Sequence, residues 1–262
     1  MKRSSLIPVP APHLPTAAAE LAPNPAPFPY RDYVAAMNDL KAALTRGPFY
    51  GQVVGGSGTG KTSLAREMSA DLDRHQHQFL YLSAPRVSLL SVVRYFAQTL
   101  RITPRRSSLE TIKVIADVLQ TQPTHLVAWI DEAAGLPADT LSELRSMAEF
   151  NCEVPQVFSV VLAGPPELRL LLDAPALFPL KRRITVRAVL EGLRADELDA
   201  FLAHRFGTDV KRIAPGLRDE LFERAHGVPA LLDRVVRYAL ERAGRGAVDD
   251  DALREAFDAC AL

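Results

Sequence analysis

The chain has only two cysteines, Cys152 and Cys260, in 262 residues. That is too few for a disulfide framework, so small extracellular scaffolds are excluded and a reducing, cytoplasmic setting is expected. Net charge is absent as well, because 31 Lys and Arg balance 31 Asp and Glu. Without a global positive field, an anionic partner has to be met by a local patch. Long hydrophobic runs are also missing. The longest, Leu126 to Ile130 and Val157 to Gly164, fall far short of the ~20 residues that a spanning helix needs, and prolines rather than an apolar core follow the Met-Lys-Arg start. Neither membrane insertion nor secretion is expected. What remains is ordinary globular stock, 48% hydrophobic and 24% charged, long enough for a main domain plus one small appendage.

Proline is concentrated at one end, with 8 of the 20 prolines in the first 30 residues. Such spacing denies amide donors to helix and sheet alike, so residues 1–30 form an extended or disordered arm, either a solvated tail or a strap that docks on a neighbour. From Tyr30 onward helices alternate with short apolar strands, the pattern of a parallel sheet covered on both faces. Strands are predicted at Phe49 to Val54, Gln78 to Ser83, His125 to Ile130, Val157 to Ala163 and Ile184 to Val189. Between them, apolar residues recur at helical spacing: Leu64, Met68 and Leu72; Leu89, Val92, Val93, Phe96 and Leu100; Leu109, Ile112, Ile115 and Leu119; Leu141, Leu144 and Met147. After Gly192 only amphipathic helices remain, so residues 31–192 read as the main α/β core and 193–262 as a small helical lid.

Gly55-Gly56-Ser57-Gly58-Thr59-Gly60-Lys61-Thr62 matches the phosphate-loop pattern and lies between a predicted strand and a predicted helix, as its mechanism requires. Its glycines let backbone amides turn inward around a β-phosphate. Lys61 places a charge on the β and γ oxygens, Thr62 offers a hydroxyl to Mg²⁺, and Ser63 follows at the helix start. The third strand ends in Asp131-Glu132, about 70 residues downstream of the loop, at the carboxyl edge where such sheets bind ligands. Asp131 can hold Mg²⁺ through water, and Glu132 can deprotonate a water for attack on a γ-phosphate. Two adjacent acids can also be no more than a helix N-cap pair. With the loop beside them, ATP and Mg²⁺ are the expected cofactors and ATP hydrolysis the expected reaction.

At these residues the sequence resembles AAA+ ATPases, and more narrowly the ExeA-type and TnsC/MuB/IstB-type ATPases that regulate DNA transposition. The resemblance runs from about residue 30 to 245. It rests on the two nucleotide motifs, on IDEAAGLPADTLSELRSMAEF, on VVLAGPPELRLLL, on LKRRITVRAVLEGL and on HGVPALLDRVVRYAL. It implies an α/β P-loop core with a five-stranded parallel sheet in the order 5-1-4-3-2, flanked by helices and followed by a helical lid. It further implies a head-to-tail ring or helical filament, hexameric or larger, on duplex DNA, which recruits or stimulates a transposase. Arg183, before the fifth strand, matches the arginine finger of the family, with Arg182 beside it; a solvated basic turn is the plainer alternative. Two family features are replaced. Gly164-Pro165 stands where relatives carry a polar sensor, and Ala230 follows Gly227-Val228-Pro229 where the lid motif usually has Arg, leaving Arg234 one turn later as substitute. Both replacements imply slow hydrolysis, with ATP acting as an assembly switch. A related ATPase of secretion-apparatus assembly and a nucleotide-gated DNA-binding module with negligible hydrolysis are the alternatives.

Relatives meet duplex DNA after the second strand. From Ser83 to Lys113 the chain carries Arg86, Arg94, Arg101, Arg105, Arg106 and Lys113 against Glu110 alone, an excess of five. Thr103-Pro104-Arg105-Arg106-Ser107 reads as an exposed turn whose donors suit phosphate oxygens and not base edges, so largely sequence-independent binding is expected, with Arg86 and Lys113 as flanking contacts. A basic loop that only keeps the surface solvated has the same composition. His75 and His77 lack partners at ligand spacing and read as a polar linker; Trp129 reads as core, and His204 and His226 as residues of lid helices.

Overall fold

Five apolar runs, each rich in branched side chains, pair into one parallel sheet in the order β2-β3-β4-β1-β5, the expected order read from its other edge. The computed structural model describes residues 26–83, 86–121, 125–145, 147 and 158–260. Residues 1–25 of the proline-rich arm, Cys152 and Val157 lie outside them. The strands are β1 (Tyr50–Gly55), β2 (His77–Ser83), β3 (His125–Asp131), β4 (Phe158–Gly164) and β5 (Ile184–Leu190). β1 and β4 are buried throughout, as central strands covered on both faces must be. β5 alternates, with Ile184, Val186, Ala188 and Leu190 inside and Thr185, Arg187 and Val189 outside, the signature of an edge strand half open to water.

Helices fill both faces. α1 (Arg31–Arg46) packs on β5, and α2 (Lys61–Asp71) follows β1 through the glycine-rich loop. α3 (Leu89–Thr99) and α4 (Ser108–Thr121) form a hairpin between β2 and β3. α5 (Ala138–Leu144), α6 (Glu167–Leu172) and α7 (Phe178–Lys181) complete that side. Successive residues of β3 serve opposite cores. Val127 and Trp129 join the layer with α1 and the C-terminal helices, while Leu126, Ala128 and Ile130 join the layer with α3, α4 and α5.

The C-terminal part is helical: α8 (Leu198–Phe206), α9 (Pro215–Ala225), α10 (Pro229–Arg242) and α11 (Asp250–Cys260). Its apolar residues are continuous with those of α1 and the sheet. At the junction the Leu193 amide donates to the Gly227 carbonyl at 2.8 Å. Gly192, which precedes Leu193, and Gly227 both have positive φ, +117° and +66°, and a Cβ on Gly192 would lie 2.7 Å from the Gly227 carbonyl oxygen. A Cβ on Gly227 would lie 2.2 Å from the Leu193 carbonyl oxygen, so no other residue fits there.

Three expectations need correction. His77 is not in a linker but opens β2, in register with His125. Leu109, counted among the inward residues of its helix, is 53% exposed, the buried stripe of α4 beginning only at Thr111 and Ile112. His226 is not helical. It caps α9 with φ +51°, a conformation costly for any residue with a Cβ.

Candidate nucleotide-binding site

The glycine-rich loop leaves β1 at Gly55 and enters α2 at Gly60, whose φ of +108° only glycine adopts readily. Gly55 is equally constrained by space, since a Cβ would fall 2.6 Å from the Leu190 carbonyl and from Thr59 Oγ1. Thr59 Oγ1 donates to the Gly56 carbonyl at 2.9 Å, and Tyr30 OH donates to the Thr59 carbonyl at 2.6 Å, so the loop is braced from within and from the segment before α1. Ser57 is exposed at the loop tip, and Ser63 lies half-buried in the first turn of α2. Lys61 is buried, and its ammonium donates to the carbonyls of Gly55 and Gly56 at 2.7 and 2.9 Å. Burial holds the Lys61 pKa below its usual range, against the opposing pull of Asp131 and Glu132.

The two motifs meet. Thr62 Oγ1 donates to Asp131 Oδ2 at 2.9 Å across 69 residues of chain. Asp131, 3% exposed, also accepts the Tyr81 phenol on Oδ2 at 2.8 Å and the Glu132 amide on Oδ1 at 2.9 Å. Glu132 follows in the left-handed region, φ +53°, which turns its side chain out of the strand into solvent. A buried carboxylate with a hydroxyl beside it, at the carboxyl edge of the sheet and next to the glycine-rich loop, is an oxygen donor set fit for Mg²⁺. Thr62 and Asp131 are the residues that would hold it.

A cavity of about 280 Å³ opens beside the loop, lined by Gly58, Thr59, Gly60, Ser63, Tyr30, Tyr33 and, from the C-terminal helices, Pro229, Ala230 and Arg234. Arg234, one turn after Ala230, thus lines the same cavity as the loop. In the same lining Arg205 Nε donates to Asp233 Oδ1 at 2.8 Å, and Arg237 holds the other oxygen at 3.1 Å. Burial alone would raise the Asp233 pKa, but these two guanidinium groups hold it below its usual range. Sequence reasoning missed Tyr30, Tyr81, Arg205 and Asp233. Tyrosines in or beside apolar runs read as core, and nothing local marks their hydroxyl partners.

Arg182 and Arg183 lie elsewhere, in the turn between α7 and β5. Ile184 is in register with Tyr50, whereas Leu190 is in register with Gly55. The arginines thus sit beside the start of β1, five strand steps or roughly 17 Å from the loop of the same chain. Arg182 is exposed and Arg183 half-buried.

The basic residues divide into two places. Thr103, Arg105, Arg106 and Ser107 are exposed in the turn between α3 and α4, with Lys113 exposed on the second turn of α4. Thr111 pins this turn by accepting the Arg105 amide at 3.0 Å, while Ser107 Oγ accepts the Glu110 amide at 3.2 Å and so acts as the cap of α4. Arg86 is also exposed but stands at the opposite end of α3, eleven residues or about 16 Å of helix away. Its backbone, with φ +67°, belongs to the Glu132 turn: the Arg86 amide donates to the Gly135 carbonyl at 3.0 Å, and the Gly135 amide to the Glu132 carbonyl at 2.9 Å. Among the described residues no helix is long and apolar enough to cross a membrane.

The fold has known counterparts. The chain is 25% identical over 240 residues to the general secretion pathway protein A of Aeromonas hydrophila, a match spanning 85% of this chain and 43% of that protein. Among solved structures, Cdc6p from Pyrobaculum aerophilum superposes with a TM-score of 0.68 at 15% identity, covering 92% of this chain and 70% of that one. The Aeropyrum pernix ORC1 protein in complex with DNA superposes with a TM-score of 0.62 at 20% identity, covering 91% and 68%. The fold is that of the P-loop AAA+ ATPases, and residues 47–172, which carry the phosphate loop, Asp131, Glu132 and β4, match the family model described as an AAA domain.

Proposed function

We propose that this chain is an ATPase that binds MgATP, assembles head to tail on duplex DNA and recruits or stimulates a transposase. One observation carries the nucleotide part of this reading: the 2.9 Å hydrogen bond between Thr62 and Asp131, which joins the loop to the acidic strand end. In this reading the inward amides of Gly58 to Thr62 and the α2 N-terminus bind the phosphates, and Lys61 leaves the Gly55 and Gly56 carbonyls to meet them. Mg²⁺, when bound, neutralises charge that develops on the phosphate oxygens. Glu132, turned into solvent, takes the proton of the attacking water. Arg183, far from its own loop, serves a neighbour in this reading, which makes hydrolysis depend on assembly. The proline-rich arm, a core of residues 31–192 and a lid of residues 193–262 are the units of this reading, and the reaction takes place in a cytoplasmic setting.

Support for the DNA part is the exposed basic turn at Arg105 and Arg106 in an otherwise neutral chain, together with the likeness to a structure that contains DNA. A second reading, an ATPase of secretion-apparatus assembly, is favoured by the 25% identity to the Aeromonas secretion protein over most of this chain. Turnover of ATP by the purified protein, with and without linear duplex DNA, separates the two. The proposal expects turnover that rises with DNA, protein retained on the duplex with a non-hydrolysable analogue, and neither in Lys61→Ala. ATPase activity indifferent to DNA, with no retention, would favour the secretion reading.

A further inference from the structure

Tyr81 lies near the carboxyl end of β2, opposite Trp129 of β3, and is 7% exposed. Its ring packs in the core layer of α1, but its phenol leaves that layer to donate to Asp131 Oδ2 at 2.8 Å. The same oxygen takes the Thr62 hydroxyl at 2.9 Å, and Oδ1 takes the Glu132 amide at 2.9 Å. Of these donors, Thr62 is the hydroxyl that the loop motif commits to the cation, and the Glu132 amide comes from the adjacent turn. Tyr81 is the donor with no other assignment, and the strand that carries it is itself anchored: the Tyr95 phenol of α3 donates to the Tyr81 carbonyl at 3.0 Å.

A carboxylate on a single short stem rotates broadly about its last torsion, so an unrestrained Asp must be ordered when it takes up a cation. Donors behind a metal ligand remove that cost, and they are worth about tenfold or more in affinity where they have been removed. We propose that Tyr81 is a positioning residue for the divalent cation of this site, fixing the Asp131 carboxylate in advance through its phenol. The inference rests on the MgATP reading above. A tyrosine kept only for packing would do its work through the ring, whereas this role resides in the hydroxyl alone. The two are separable by deleting one oxygen.

Tyr81→Phe keeps ring and volume. ADP affinity is measured calorimetrically in EDTA and then across a Mg²⁺ titration, for wild type, Tyr81→Phe and Tyr95→Phe, with Tyr81→Met as a second variant lacking the donor. Tyr81→Phe and Tyr81→Met should match wild type in EDTA and need about tenfold more Mg²⁺ to reach the same tightening. Tyr95→Phe, which leaves all three Asp131 donors in place, should follow the wild-type titration. Superimposable Mg²⁺ curves for wild type and Tyr81→Phe would overturn the role of Tyr81 while leaving the MgATP reading intact, and an equal loss in Tyr95→Phe would reduce it to packing. A wild type that binds ADP with no response to Mg²⁺ would overturn the metal site and this role with it.

Discussion

The amide of Ala230, in the first turn of α10, donates to the carbonyl of Gly58 in the phosphate loop at 3.2 Å. This bond joins the C-terminal helices directly to the loop, and the space around it is fully used. A Cβ on Gly58 would lie 2.8 Å from the Ala230 Cβ and 3.1 Å from Val228 Cγ1, in a residue whose φ is already +80°. Gly58→Ala is therefore expected to push α10 off the loop as well as strain the backbone, at a cost of about 1–3 kcal/mol. Thermal melting should drop by several degrees, and ATP binding should fall at least tenfold. A variant that binds ATP like wild type would show that the loop and α10 move independently.

Arg183→Ala should leave ATP binding by dilute protein unchanged and abolish the part of the ATPase rate that rises with protein concentration. An arginine given in trans is worth ~10³ or more in comparable systems. Steady-state rates per subunit over a dilution series check this. A wild-type rate independent of concentration, equalled by the variant, would rule out the trans arginine. Arg182→Ala, one residue earlier and exposed, should have the smaller effect.

Arg105 and Arg106 are exposed while the backbone of their turn is pinned by Thr111. Replacing both with Ala should spare folding and ATP binding, since exposed arginines add little to stability. It should weaken binding to every duplex by a similar factor and lower the salt slope by ~2 units per subunit, one for each phosphate no longer neutralised. Titrations against a labelled duplex at several salt concentrations read this directly. Parallel slopes for wild type and variant would move the DNA contact away from this turn.

At the far end of the sheet His125 Nε2 lies 2.9 Å from Ser159 Oγ, with the His77 ring 5.7 Å away. Burial, and then His77, depress the His125 pKa from 6.5 to about 4. The folded state therefore holds His125 neutral in a range where the unfolded chain binds a proton. Its contribution to stability is complete above pH 6.5 and is lost as pH falls toward about 4. Melting temperatures should decline across that window, and His125→Gln, which keeps an acceptor for Ser159, should flatten the decline. An unchanged slope in the variant would assign the acid sensitivity to other groups.

Much of this architecture is legible in the chain because its signals are local. Buried parallel strands are continuous apolar runs, so all five begin and end within one residue of expectation, whereas their order in the sheet follows from the family resemblance and not from any local signal. Gly55 to Thr62 and Asp131-Glu132 are recognisable for the same reason, each being a short string with one mechanical use. What escapes is the pairing of distant residues. Tyr81 with Asp131, Tyr30 with Thr59, and Gly192 with Gly227 are contacts across 50, 29 and 35 positions, and a tyrosine or glycine carries no mark of its partner. The register of β2 likewise depends on β3, which is why His77 reads as a linker until His125 is seen beside it.

Trp129 is the single tryptophan of the chain and is wholly buried in β3, two residues before Asp131 and opposite Tyr81. The molecule therefore carries one indole, located in the strand that ends at the cation ligand and excluded from water, and excitation at the red edge of its absorption, where the six tyrosines do not absorb, reports on it alone. Its emission comes from one environment and needs no deconvolution. Stopped-flow mixing with nucleotide or metal can follow events at the strand end in real time without a label, and the loss of that signal on denaturation times the opening of the central sheet itself.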